Sequence, residues 1–295
     1  MLSPGLIIPD TQMKKEGTAL VGERDILSNL TEEKGTSLFL GRYSMTEALA
    51  VLGKRNFFRE AKKRGLWPLA FDLDSSGYPV QRFQIYLEEK KPENLIADLK
   101  IREGRLAPKD YLPPDSGFCK YHFLALEWFT LQNPRVEFSR KRPPLPGQLH
   151  PGLGFGKKVV DLFVYLARLT RKDGLLAFPA YFHNALLFSR YFRFLNPEKS
   201  AEVLAIEKAF PDIPFKHLAW IVYLNCLKQD NGSVYEWKAE ELVYPLNKAL
   251  KDYFDSRAYK NKLKQSLKKW HFTIDWDCYE KKLDDLIKET AKGKG

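Results

Sequence analysis

Between Arg140 and Phe163 the chain reads RKRPPLPGQLHPGLGFGKKVVDLF, and within it Gly152, Gly154 and Gly156 alternate with Leu153 and Phe155 ahead of Lys157 and Lys158. Glycine disfavours helix, yet an apolar helical pattern begins directly after this cluster. Such a run marks a backbone that bends sharply or lets something bulky approach. Without side chains, successive backbone N–H groups can converge on one point, and a helix N-terminus behind them adds partial positive charge. The chemistry that suits this arrangement is the binding of a diphosphate. Lys157, Lys158, Arg140, Lys141 and Arg142 would surround further phosphates. Two common phosphate-binding patterns fail here. A P-loop, G-x-x-x-x-G-K-[ST], needs a glycine where Pro151 stands and a hydroxyl where Lys158 stands. A dinucleotide fingerprint, G-x-G-x-x-G, needs a glycine where Lys157 stands and a strand in place of the proline-rich loop.

The elements that must position this cluster follow from periodicity. From Met45 the segment MTEALAVLGKRNFFREAKKRG repeats apolar residues at helical spacing and stops at a glycine, which predicts one helix with a break near Gly53. The period then changes to two. WPLAFDLD, VQRFQIYLEE and LIADLKIREGRL read as consecutive antiparallel strands, and YHFLALEWFTLQNP, denser in apolar residues, reads as a central strand buried on both faces. After the glycines, KKVVDLFVYLARLTRK predicts a well-buried helix ended by Asp173 and Gly174. LLAFP reads as a short central strand and HNALLFSRYFRFL as an aromatic-rich helix with an exit turn. From Asn196 onward the texture is mostly helical.

This order resembles that of the GNAT acyltransferase superfamily. In that family a helix pair and an antiparallel meander lead to a long central strand. A glycine-rich acyl-CoA turn then opens a buried helix, followed by a parallel strand and a short helix ending in an aromatic. PGLGFGKKV is similar to the family's R-G-x-G-x-G-K/R-x-L turn, and Ala185 to Phe194 resembles its closing A-x-x-x-Y-x-x-x-G-F. Three positions depart from the pattern: Pro151 stands at the head of the turn, Ser189 at the closing Tyr, and Arg193 at the last Gly. The resemblance covers His122 to Leu195 and implies a mixed α/β fold with a mostly antiparallel central sheet flanked by helices. The expected organisation is an N-terminal arm over 1–36, a GNAT-like domain over 37–209 and a mostly helical extension over 210–295.

The implied reaction is transfer of an acyl group from a CoA or acyl-carrier-protein thioester to an amine by direct attack. Acetyl-CoA or a longer acyl-CoA would be the co-substrate, held by Gly152, Gly154, Phe155, Gly156 and Lys157, with Asn184 and Ser189 near it. Such chemistry needs a base, oxyanion donors and an acid for the thiolate. Glu127, mid-strand in an apolar setting, is the candidate base, because desolvation raises a carboxyl pKa; a strand glutamate can equally face solvent or pair with an arginine. Backbone N–H groups around Phe129 to Leu131 would be the donors. His183 follows the short strand, where the resemblance implies groups near the cofactor, and Tyr191 is the nearest phenol to the acid position that Ser189 occupies. For His183 and Tyr191 the competing role is core packing.

Forty-eight Lys and Arg against 37 Asp and Glu give +11, which favours anionic partners without choosing among them. With 44% apolar residues the chain is expected to fold. The five histidines and three cysteines are scattered, so neither a metal site nor a disulfide framework is expected, and a reducing cytoplasm is the simplest location. LAWIVYL is too short to span a bilayer. Two other functions stay open: an acyl-CoA-binding protein without catalysis, and nucleic-acid binding through basic, aromatic stretches such as YKNKLKQSLKKWHF.

Overall fold

A computed structural model describes residues 38–106, 109, 111–112, 117–139 and 142–292; the N-terminal arm, Arg140 and Lys141 lie outside them. The described residues form two compact units. One is drawn from Met1–Ser139, Leu149–Phe178 and Tyr244–Leu250, the other from Arg140–Gln148, Pro179–Val243 and Lys251–Gly295.

The first unit opens with helix α1 (Met45–Lys54), where the Ser44 hydroxyl accepts from the Glu47 N–H and the Glu47 carboxylate accepts from the Ser44 N–H. This reciprocal cap satisfies donors that the first turn leaves unpaired. The expected break falls just beyond Gly53, where Asn56 takes a left-handed φ of 60° and starts α2 (Phe57–Lys63). Strands β1 (Leu69–Asp74), β2 (Gln81–Leu87), β3 (Leu95–Arg105) and β4 (His122–Leu131) follow as an antiparallel meander. Helix α3 (Gly156–Leu169) returns the chain to β5 (Gly174–Ala177), which lies parallel to β4. The mixed α/β architecture, with a mostly antiparallel sheet flanked by helices, is therefore present.

Alternation explains β2, whose residues switch strictly between buried and half-buried from Gln81 to Leu87. Ala61 of α2, Leu66, Leu87 of β2, Ile96 of β3, Leu153 and Phe155 share one apolar cluster, which ties the glycine-rich turn to the sheet. Phe163 of α3 meets Phe129 of β4 edge-on, with ring centres 5.4 Å apart.

One expectation needs correction. Asp173 and Gly174 do not end α3, which stops at Leu169. Asp173 instead accepts the His122 N–H at 2.7 Å and the Asn247 side-chain amide at 3.0 Å, fastening the starts of β4 and β5. Gly174 is the first residue of β5, where a Cβ would lie 2.8 Å from the Tyr244 carbonyl oxygen. Close backbone approach, not helix termination, calls for this glycine.

The second unit contains α4 (Phe182–Phe188), β6 (Arg193–Phe194), α5 (Pro197–Ala209), α6 (Phe215–Tyr223), β7 (Leu227–Gln229), and the residues Leu242 and Val243 that begin β8 (Leu242–Pro245). Next come α7 (Lys248–Asp255), whose Lys251–Asp255 part belongs here, α8 (Arg257–Leu267), β9 (Phe272–Ile274) and α9 (Trp276–Lys292). Beyond the expected helices, β6 pairs antiparallel with β8 through Arg193↔Val243 and Phe194↔Leu242, and β7 pairs with β9. Tyr253 and Tyr259 fasten β6 and its exit by donating to the Leu195 and Phe194 carbonyls at 2.9 and 2.7 Å.

Two of the cysteines, distant along the chain, are close in space. Cys226 and Cys278, separated by 52 positions, bring their sulfurs to 2.8 Å as free thiols. Burial, then contact with Cys278, pushes the Cys226 thiol up to about 12. Diamide is expected to oxidise the two thiols to a disulfide, the reagent taking both hydrogens, as read by peptide mapping under non-reducing conditions. Closing a loop of this length raises stability by up to about 4 kcal/mol. Cys278→Ser should abolish both the linked peptide and the gain; a linked peptide lacking Cys226 would refute the pairing.

Candidate functional site

The glycine-rich turn is built as its residue types require. Gly154 has φ +73°, a left-handed conformation that side chains disfavour, and a Cβ placed on Gly154 or Gly156 would meet nothing within 4 Å. Leu153 and Phe155 alternate with them and point into the core, at 8% and 6% exposure. The turn is thus anchored by its apolar residues and open at Gly154 and Gly156. Phe155 is the N-cap of α3 and provides no side-chain cap, so this end of the helix presents its first N–H groups beside open space.

Strand β4 ends beside the turn. The Asn133 N–H donates to the Pro151 carbonyl at 2.8 Å, and a Cβ on Gly152 would lie 3.6 Å from the Leu131 carbonyl oxygen. β4 pairs with β5 only from Phe123 to Leu126 and runs on through Glu127–Leu131 against β3 alone. The Gln132 N–H donates to the Ile96 carbonyl on the β3 side, so by alternation Leu131 and Phe129 turn their N–H groups to the opposite edge. Those are the donors the sequence suggests for an oxyanion.

The β3–β4 register adds what periodicity did not disclose. Ile101 opposes Leu126 and Lys100 opposes Trp128, so Glu127 is the extra residue of a β-bulge. The Trp128 indole nitrogen is buried and without a hydrogen-bond partner, leaving an N–H donor available on this stretch of β4. Its only sequence signal is its place in a dense apolar strand, which reads equally well as core.

Glu127 does not sit in the apolar setting expected of it. Its carboxylate is half-buried and takes a charge-assisted hydrogen bond from Arg102 Nε of β3. Gly104 makes room for that arginine, since a Cβ there would lie 2.7 Å from the guanidinium. Lys157 is exposed at the head of α3, whereas Lys158 is committed to Glu60 at 3.0 Å. The Arg64 guanidinium and then Lys158 hold the Glu60 carboxyl down to about 2, and Arg64 also stacks over Phe155 at 4.0 Å. Both turn lysines face solvent, Lys158 while paired with Glu60. Arg142 and His150 belong to the loop that precedes the turn.

The remaining candidates lie in the second unit. His183 and Asn184 are in the first turn of α4; Ser189 caps its end and donates to the Leu186 carbonyl at 2.9 Å; Tyr191 is exposed in the exit turn. His183 is buried, with its ring stacked on Tyr181 at 5.3 Å. It lines a cavity of about 420 Å³ together with Tyr181, Tyr223, Asn225, Glu236 and Trp237. This cavity has no sequence signature, because its walls come from separate segments.

Burial lowers the His183 pKa from 6.5 to about 4. The unfolded chain therefore takes up a proton on this residue at a pH where the folded chain does not, and stability falls as pH drops through this window. From pH 7 to pH 5 the loss from His183 is expected to be about 2 kcal/mol. Urea denaturation of the wild type and His183→Gln at both pH values checks it. Equal losses in the two proteins would remove His183 as the source.

Among the described residues no group of three His, Cys, Asp or Glu is placed to hold a metal ion, and no helix is long and apolar enough to cross a membrane. Compared with protein-family models, curated proteins and solved structures, the chain matches none.

Proposed function

We propose that this chain is an acyl-CoA-dependent N-acyltransferase of the GNAT type, working in the cytoplasm. The observation that carries the reading is the pairing of a glycine turn, open at Gly154 and Gly156, at an uncapped helix start with a strand that outruns its parallel neighbour beside it. A diphosphate suits the turn, and an extended amide-bearing arm such as pantetheine suits the stretch of β4 that runs past the end of β5. The chain order of helix pair, meander, central strand, turn, helix and parallel strand agrees with the resemblance. Free thiols at Cys226 and Cys278 suit a reducing compartment.

In the proposed reaction the amine nitrogen attacks the thioester carbonyl, the C–N bond forms, and the C–S bond breaks to release the thiolate. Glu127 takes the ammonium proton. The N–H groups of Phe129 and Leu131 and the Trp128 indole are the donors for the oxyanion. The departing thiolate takes its proton from solvent. Acetyl-CoA and longer acyl-CoAs carry both the diphosphate and the thioester of this scheme; an acidic acyl carrier protein carries the thioester on an arm with a single phosphate.

Calorimetric titration with CoA, acetyl-CoA and a long-chain acyl-CoA tests the reading, followed by detection of released thiol in the presence of amines. Binding together with thiol release supports transfer. Binding without release across a broad amine set identifies a non-catalytic acyl-CoA-binding protein. Absence of binding, with steeply salt-dependent retention of an oligonucleotide, would favour nucleic acid instead.

A further inference from the structure

We propose that the cavity of the second unit binds a primary ammonium group carried on an aromatic or apolar body. The proposal stands on the cavity alone and is independent of the acyl-transfer reading. At about 420 Å³ the cavity has the size of a small-ligand site. Its lining is rich in aromatic rings. Tyr181 stacks on His183, Tyr223 stands 6.0 Å from Tyr181 at an interplanar angle of 49°, and Trp237 is held by its indole N–H donating to the Pro179 carbonyl at 3.0 Å. Tyr223, at 48% exposure, leaves the cavity open to entering molecules.

The polar groups on the walls select the ligand's charge. With His183 neutral, Glu236 is the one formally charged residue lining the cavity, a carboxylate in a chain of net charge +11. Asn225 and the neutral His183 imidazole add acceptors. No Lys or Arg lines the space, so an anion would find a carboxylate and no counter-charge. Aromatic faces attract cations, and the protein already uses one of them this way: the buried Lys199 ammonium sits 4.2 Å from the centre of the Trp237 ring while paired with Glu202. An ammonium at Glu236 with a ring against Tyr181, Tyr223 or Trp237 satisfies both the charge and the apolar walls.

The test is calorimetry at neutral pH with 2-phenylethylamine, 2-phenylethanol, phenylacetate and n-butylamine, with no CoA present. The expected result is that 2-phenylethylamine binds about tenfold or more tighter than each of the other three. Glu236→Gln, at an exposed position, should erase its advantage over the alcohol, and Tyr223→Ala should erase its advantage over butylamine. Equal affinities across the set, phenylacetate binding best, no binding at millimolar amine, or indifference to both variants would each overturn the proposal. CoA titrated into the same samples separates the two readings: loss of CoA binding with amine binding intact removes acyl transfer and leaves the cation site standing.

Discussion

Glu127→Gln is expected to leave acyl-CoA binding in place while lowering acyl transfer by about 10²- to 10⁴-fold, the usual contribution of a positioned base. The substitution keeps the volume and removes the basicity. The bulge makes Glu127 the residue of β4 that stands outside the regular β3 register, on the stretch that continues past β5. Arg102 fixes its carboxylate in place. That pair is partly exposed, so losing it should cost no more than about 1 kcal/mol of stability. Initial rates across pH, with melting temperature as a control, provide the check. The variant should also lose the rising acidic limb of the rate profile. Turnover within a few-fold of wild type at every pH would leave Glu127 as the structural partner of Arg102.

Gly154→Asp is expected to weaken CoA by about 100-fold or more, roughly 3 kcal/mol, with the fold retained. Gly154 has a left-handed φ, and Asp is among the few side chains that adopt it at modest cost. Its Cβ would project into open space, so no packing is lost. The new carboxylate would then stand where the phosphates are expected, beside an uncapped helix start that it would itself satisfy. Gly154→Asn separates shape from charge, because it keeps the volume and removes the negative charge; calorimetry should place its affinity between wild type and Asp. Undiminished CoA binding by Gly154→Asp would detach the turn from the site.

Local pattern was enough to read the four strands of the meander, the broken helix before them, the glycine turn and α3 from the residues alone. Alternation in QRFQIYL and helical spacing in KKVVDLFVYLARL are written over a few residues, and the physics that enforces them, one buried face per element, acts over the same range. Gly154 was legible for the same reason: a left-handed turn is a local demand of the backbone.

The residues alone disclose the class of architecture and the place of the glycine turn. Tertiary structure alone decided the partners. The bulge at Glu127 comes from a one-residue slip against β3, and neither Arg102 nor the room left by Gly104 is visible along β4. Lys158 pairs with Glu60, a residue on another helix. Gly174 serves a backbone that arrives much later in the chain, and the two-residue β6 is too short to show a period until β8 comes to pair with it. Cys226 meets Cys278, and Glu236 joins His183 around one cavity, only because distant segments fold together. Charge pairs, thiol pairs and cavities depend on distance in space, and a single sequence records distance only along the chain.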